Sequence, residues 1–354
     1  MLYNLHILRV IAAMSVVYFH TTSEAGLNLP VSIGSRGVDV FFVISGFIIA
    51  YIGSKHPQQF LRRRLIRIVP FYWAASLGLF CIALAMPDLL RSTRADVPQL
   101  IASLLFIPRE TEYSGVFPTM ILGWSLNFEM FFYVVFALAL RISPKWSPLL
   151  SCAGIVAFAT VVNQLALDST AMNFYARPIV LEFVYGIGVF YVFKWFDARR
   201  DRFATIAAGK WVLVLLLAAS LIFIGYGEYV NGWGFPRHIY AGGASFVIVL
   251  TALLLERIYG LTTRNRAIYL LGESSYILYL IHPYIIYTAL RVLRGDAELG
   301  TTMTIGLILG LFALAGIVSV AIHLWFEKPM MAYLRERVLP SAPPAPPIPV
   351  EIAR

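Results

Sequence analysis

Ten times along this chain a stretch of about 20 mostly apolar residues is followed by a short polar or charged break. That length matters because a helix rising about 1.5 Å per residue needs about 20 residues to cross a hydrocarbon core. The segments are 4–21, 37–54, 67–86, 119–140, 148–166, 177–195, 211–227, 238–256, 268–290 and 301–326. They are apolar all round, whereas strands of a membrane barrel alternate. Inside a bilayer every backbone N–H and C=O has to be satisfied within the protein, so such segments are helices. The expected fold is all-α, a polytopic membrane bundle of about ten transmembrane helices. Composition agrees, with 59% hydrophobic and 13% charged residues, against roughly half and a quarter in soluble domains.

Charges in the breaks give an orientation. "KHPQQFLRRRLIR" (Lys55–Arg67) lies between spans two and three, Arg141 and Lys145 follow span four, and "KWFDARRDR" (Lys194–Arg202) follows span six. Arg257, Arg264 and Arg266 follow span eight, and Lys328, Arg335 and Arg337 follow span ten. With ten spans all five clusters share one side, which the positive-inside rule makes the cytoplasm. Both termini are then cytoplasmic. A net charge of +9 would suggest nucleic acid in a soluble protein. Here the basic residues flank apolar spans, and no nucleic-acid partner is expected.

Residues 1–338 are read as the membrane domain. The closing "PSAPPAPPIPVEIAR" cannot continue a helix, and 339–354 are read as a disordered cytoplasmic tail. No Lys or Arg precedes Arg9, so the first span lacks the basic region of a cleaved signal and reads as a retained anchor. Cys81 and Cys152 lie in apolar runs and read as small core residues. The break at 88–116 holds "LIASLLFI" (Leu100–Ile107), too short to span, which reads as a re-entrant or interfacial helix.

Polar residues inside spans are costly and therefore informative. In "RVIAAMSVVYFHTTSE", Arg9 and His20 are eleven residues apart, on one helix face and roughly 16 Å from each other. They form either a polar stripe through the bundle or two residues snorkelling to opposite interfaces. In "SRGVDVFFVISGFII", Arg36 and Asp39 are spaced to pair, and Gly46 admits a close neighbour, helix or ligand. Arg64 and Arg67 in "RRRLIRIVPFYW" share a face and suit a phosphate, of a lipid or of a nucleotide. "WSLNFEMFFY" puts Asn127 and Glu129 within span four; Glu129 is a functional candidate or a structural partner for an arginine. His282 precedes Pro283, which frees a backbone carbonyl that this histidine or a water can satisfy.

Taken together these motifs resemble the integral-membrane acyltransferase-3 family, which includes sugar and exopolysaccharide O-acetyltransferases. The matching pieces are Arg9 with His20, "RGVDVFFVISGFII", "RRRLIRIVPFYW", "GWSLNFEMFFY", "SSYILYLIHPYII" and "FEKPM", in the family's order over residues 1–335. "NFEMFFY" looks most like the exopolysaccharide-production subgroup. The resemblance implies an O-acetyltransferase of the bacterial inner membrane, with acetyl-CoA as cytoplasmic donor and no metal. It implies a glycan or lipid-linked saccharide as acceptor, and membrane lipids and polysaccharide assembly proteins as neighbours. On that reading Arg9, Arg64 and Arg67 hold the donor. His20, Glu129 and Asp39 are the catalytic candidates, and Arg36, Asn127 and His282 the acceptor-binding ones. His20 acts either as general base toward a sugar hydroxyl or as an acyl-carrying nucleophile. The rivals are a flippase or transporter of a glycolipid or small solute, and a structural subunit of an export complex. Inverted repeats would favour the transporter, and none is evident by eye.

The charge pattern generates a topology test. Tags after Arg202 and after Arg337 should report from the cytoplasm, and a tag near Ser169 from the opposite side. Labelling of the Ser169 tag only after the inner membrane is permeabilised would overturn the ten-span arrangement.

Overall fold

The computed structural model of the chain describes residues 2–24, 34–53, 57–87, 90, 93–293 and 301–339. All ten apolar segments are helical: α1 (Tyr3–Glu24), α2 (Gly37–Gly53), α3 (Phe60–Ala85), α4 (Trp124–Ile142), α5 (Ser147–Leu165), α6 (Leu181–Asp197), α7 (Ala207–Tyr229), α8 (Arg237–Tyr259), α9 (Arg266–Leu293) and α10 (Thr301–Ile322). Among the described residues there is no strand, only an isolated bridge between Thr111 and Gly115. Among the described residues eight helices are long and apolar enough to cross a membrane. The two others are α2, apolar but 17 residues long, and α9, 28 residues long but interrupted by Glu273, His282 and Arg291. The protein is thus an all-α polytopic bundle. The proline-rich tail lies outside the described residues.

Contacts between helices show their directions. Gly37 lies against Ala12, and Gly34 against Ser15, so α1 and α2 run antiparallel. Arg9 meets Ser275 and His20 meets His282, so α1 and α9 run parallel. Asp39 meets Arg237, near the start of both α2 and α8, and Gly46 meets Gly186 beyond Asp39 and Glu182, so α2, α6 and α8 are parallel too. This is the alternation that consecutive spans require. It brings the basic clusters to one end: Arg257 of α8 is paired with Asp197 of α6, Arg264 lies over Tyr3, and Arg64 lies over Tyr133.

The start of α1 is pinned at that end. Its first amides have no partners within the helix, and Glu256 of α8 accepts from the N–H groups of Tyr3 (2.8 Å) and Asn4 (2.7 Å). The Asn4 side chain adds bonds to the carbonyls of Ala252 and Leu261. Aromatic rings fill much of the centre, with Phe42, Phe128, Phe132 and Phe183 all buried. Cys81 departs from expectation by facing outward, and Cys152 is half-buried.

The apolar stretch in the 88–116 break folds as a short helix, Val97–Leu104, capped by Asp96. Burial pushes the Asp96 carboxyl up, but the Gln99 N–H, the Arg109 guanidinium and the Tyr113 hydroxyl outweigh it and hold the group below its usual range. The helix turns polar Gln99 and Ser103 inward and exposes Val97, Ile101 and Leu105. Apolar residues outside and polar residues inside suit an interfacial segment touching lipid.

A close backbone approach joins α2 to α6. A Cβ added at Gly46 would lie 2.3 Å from the Phe183 carbonyl oxygen, and one at Gly186 would lie 2.2 Å from that of Val43. Both obstacles are backbone, so the helices would have to separate. Gly46→Ala should lower the thermal midpoint of the detergent-solubilised protein, by overpacking of about 1–3 kcal/mol. Gly78→Ala, in α3 with nothing within 4 Å, is the control. Equal midpoints for the two variants would contradict the close crossing.

Candidate active site

The sequence 62–67 places four arginines on the first turns of α3, and the helix sorts them. Arg62 and Arg63 are exposed, while Arg64 and Arg67 turn inward and line a cavity. Arg9 of α1 lines the same cavity, with its Nε donating to Ser275 Oγ of α9 at 3.1 Å. The space encloses about 760 Å³ including its open mouth. Helices α1, α2, α3, α4 and α9 all contribute to it.

One carboxylate enters this cationic space. Glu129 of α4 accepts from the Tyr133 hydroxyl one turn on, and from Ser45 Oγ at 3.3 Å. Tyr133 in turn lies near the Arg64 guanidinium, 5.9 Å from its ring centroid. Toward the other end the lining continues to Ser125 and Tyr279, with the serine hydroxyl donating to the tyrosine at 3.0 Å. One turn past Tyr279 comes His282, whose ring centroid is 5.1 Å from that of His20. His282 is fully buried and His20 half-buried. Neither ring lines the cavity itself.

Asp39, Arg36 and Asn127 lie apart from this lining. Asp39 is fully buried, and its two oxygens accept from Arg237 Nε (3.0 Å) and a terminal guanidinium nitrogen (2.7 Å) in a forked pair. The cation in this forked pair is Arg237 of α8, where the local spacing suggests the neighbouring Arg36. Glu182 of α6 is also fully buried next to this pair. Arg36 lies over the Tyr240 ring at 5.5 Å. Asn127 is buried, and its side-chain oxygen has no hydrogen bond among the described residues.

At the basic end a π-helical turn, His323–Glu327, follows α10. It lets His323 Nδ1 reach Glu327 at 2.6 Å, while Glu273 lies 3.8 Å from the other ring nitrogen. The glutamate of "FEKPM" is thereby held by a histidine within its own turn. Among the described residues no group of three His, Cys, Asp or Glu side chains is arranged to hold a metal ion.

Sequence reading did not single out Arg237, Glu182, Tyr133, Ser125 or Tyr279. Tyr133 had a signal, since it is four residues after Glu129 and so one turn away on the same face. Glu182 had one as well: an acidic residue within a span needs a partner, and none of the basic residues of α6 is close in sequence. Arg237 shows its relevance only once α2 and α8 are neighbours.

Comparison with known proteins agrees with this architecture. The model of the acyltransferase-3 family, described as an acyltransferase domain, matches residues 2–324. The exopolysaccharide production protein ExoZ of Rhizobium meliloti is 32% identical over 328 residues, covering 90% of this chain and 96% of that protein. The acyltransferase MdmB of Streptomyces mycarofaciens is 28% identical, with 88% of this chain and 85% of the relative covered. The O-acetyltransferase OatA of Staphylococcus aureus is 23% identical over 82% of this chain, which spans 51% of OatA. No solved structure gives a significant match. The chain belongs to the acyltransferase-3 family and is a multi-pass membrane acyltransferase.

The forked pair yields a prediction. Removing Arg237 leaves Asp39 buried without its counter-charge, which typically costs about 3–5 kcal/mol. Arg237→Ala should therefore lower the thermal stability of the purified protein. The double variant Asp39→Asn with Arg237→Gln should recover most of the loss, because neither charge is then stranded. An Arg237→Ala protein as stable as the parent would show that the pair does not hold α2 to α8.

Proposed function

We propose that this acyltransferase carries an acetyl group from cytoplasmic acetyl-CoA to a hydroxyl of an exopolysaccharide or other cell-surface glycan, at the bacterial inner membrane. The observation that carries the reading is the convergence of Arg9, Arg64 and Arg67 on one cavity at the basic end of the bundle. Among the described lining residues, three cations against one carboxylate, Glu129, leave an excess of positive charge in a half-buried space. Such a space suits the phosphates of a coenzyme A ester, and the forked guanidinium matches phosphate oxygens. The names of ExoZ and OatA point to exopolysaccharide and to O-acetyl transfer, which supports the acceptor class and the acyl group.

The thioester end of the donor would then lie farther along α1, toward His20. A sugar hydroxyl is a weak nucleophile at neutral pH. His20 takes its proton as the oxygen attacks the thioester carbonyl; the new C–O bond forms and the C–S bond breaks. The electron pair leaves with sulfur, and the protonated His20 returns the proton to the thiolate. General-base help of this kind is typically worth about 10²–10⁴-fold. Glu129, held by Tyr133 and Ser45, keeps the arginines aligned in this scheme. Asp39 works through the fold, by joining α2 to α8. Arg36, Asn127 and His282 are the residues nearest the acceptor side.

Purified protein and defined variants test the scheme. Arg64→Ala and Arg67→Ala should each weaken acetyl-CoA binding by about 1.5–3 kcal/mol, with Lys restoring part of it because it lacks the fork. His20→Gln, which keeps a hydrogen-bonding side chain but cannot take up a proton at neutral pH, should abolish acyl transfer at matched protein levels. The readout is acyl content of surface glycans, by mass spectrometry, in a deletion strain carrying each variant. Unchanged acetyl-CoA affinity in both Ala variants would leave the arginines as lipid or topology residues. Near-normal acylation by His20→Gln would remove His20 as the base.

A further inference from the structure

Helix α9 carries a buried imidazole whose bonding the fold explains only on one side. His282 Nδ1 lies 3.0 Å from the carbonyl oxygen of Leu278, one turn back. A carbonyl oxygen can only accept, so Nδ1 carries the proton, and in a neutral ring Nε2 is then a bare lone pair. Nε2 is shut off from solvent and has no hydrogen-bond partner among the described residues. Buried polar atoms are nearly always paired, so an unanswered acceptor marks a place where a donor belongs.

The ring packed against it is a second imidazole. His20 lies 5.1 Å away, centroid to centroid, with the planes inclined at 52°. The outer torsion of a histidine is soft, so a turn of the His20 ring can aim one of its N–H groups at Nε2. His20 is only half-buried, so its remaining nitrogen keeps a route outward.

We propose that His282 is a positioning residue for His20. Its Nε2 accepts a hydrogen bond from one ring N–H of His20, which leaves the other His20 nitrogen unprotonated and directed to the incoming hydroxyl. The Leu278 carbonyl sets the tautomer of His282, and His282 sets that of His20. No proton leaves the pair during this ordering. The one transferred in the reaction moves from the hydroxyl to the free nitrogen of His20 and then to the departing thiolate. The inference rests on the reading of His20 as base. A purely structural His282 would do no more than bond the Leu278 carbonyl one turn back.

Two substitutions separate these roles. His282→Asn keeps an amide nitrogen near the place of Nδ1, able to donate to Leu278, but has no atom where Nε2 was. His282→Gln reaches the Nε2 position with an amide oxygen that can accept. The full-length protein in membrane vesicles is assayed with radiolabelled acetyl-CoA and surface polysaccharide isolated from a deletion strain. Positioning predicts that Asn lowers kcat by about 100-fold or more, the lower range of general-base contributions. It also predicts an acetyl-CoA KM and a thermal midpoint like the parent's, and that Gln retains kcat within about tenfold. A parent-like kcat in the Asn variant would overturn the proposal, as would equal inactivity of stable Asn and Gln variants. Should Asn not accumulate, Gln decides alone: activity within tenfold supports positioning, and a 100-fold loss in stable protein overturns it. His20→Gln is measured alongside, because activity there would sink the base assignment and not the contact between the two rings.

Discussion

Hydrocarbon offers no hydrogen bonds, and most of this structure follows from that. Membrane helices gain little by burying apolar faces against each other, because lipid tails are equally apolar. What selects neighbours is close backbone approach and the need of each polar group for a partner. Gly46 and Gly186 supply the first, joining α2 to α6. Asp39 with Arg237, Glu256 with the first amides of α1, and Arg9 with Ser275 supply the second. These few contacts tie α2 to α8, and α1 to α8 and α9. The aromatic centre then fills the space they define.

The same constraint explains what was legible in the sequence. A span has to be apolar over its whole length, so all ten helices could be located and their charge alternation read. The cavity arginines were legible because Arg64 and Arg67 repeat at helical spacing, and the structure turns those two of the four inward. Asp39 was legible as half of an ion pair, but the partner in its forked contact lies 198 residues away, and no local pattern reports such a distance. Gly46 was legible as a point of close approach, while the identity of the approaching helix was not. The proximity of His20 and His282 depends on α1 and α9 being parallel neighbours, a property of the packed bundle and not of either segment. Residues 340–354 of the tail lie beyond the described residues, and their reading stays with the sequence.

The cavity arginines and the His20–His282 pair are kept apart in this molecule. The arginines and Glu129 share the cavity toward the basic end, and the two histidines lie past Tyr279 toward the other. Such separation matters for a base, since a nearby cation makes protonation of a histidine harder. The forked pair of Asp39 and Arg237 is likewise a closed unit that leaves little net charge to be felt elsewhere.

Helix α1 carries Arg9 and His20 on one rigid rod, and Glu256 fastens the rod's end to α8. The distance between the two residues is therefore a constant of the helix, about 1.5 Å for each of eleven steps. For an enzyme working as proposed, this makes α1 a ruler. A donor is measured by the reach from its phosphates to its thioester, and a carrier with a shorter arm would be gripped correctly yet stop short of the base. Selection by length asks nothing of the acyl group itself, so discrimination among acyl chains falls to whatever walls surround the far end of the ruler.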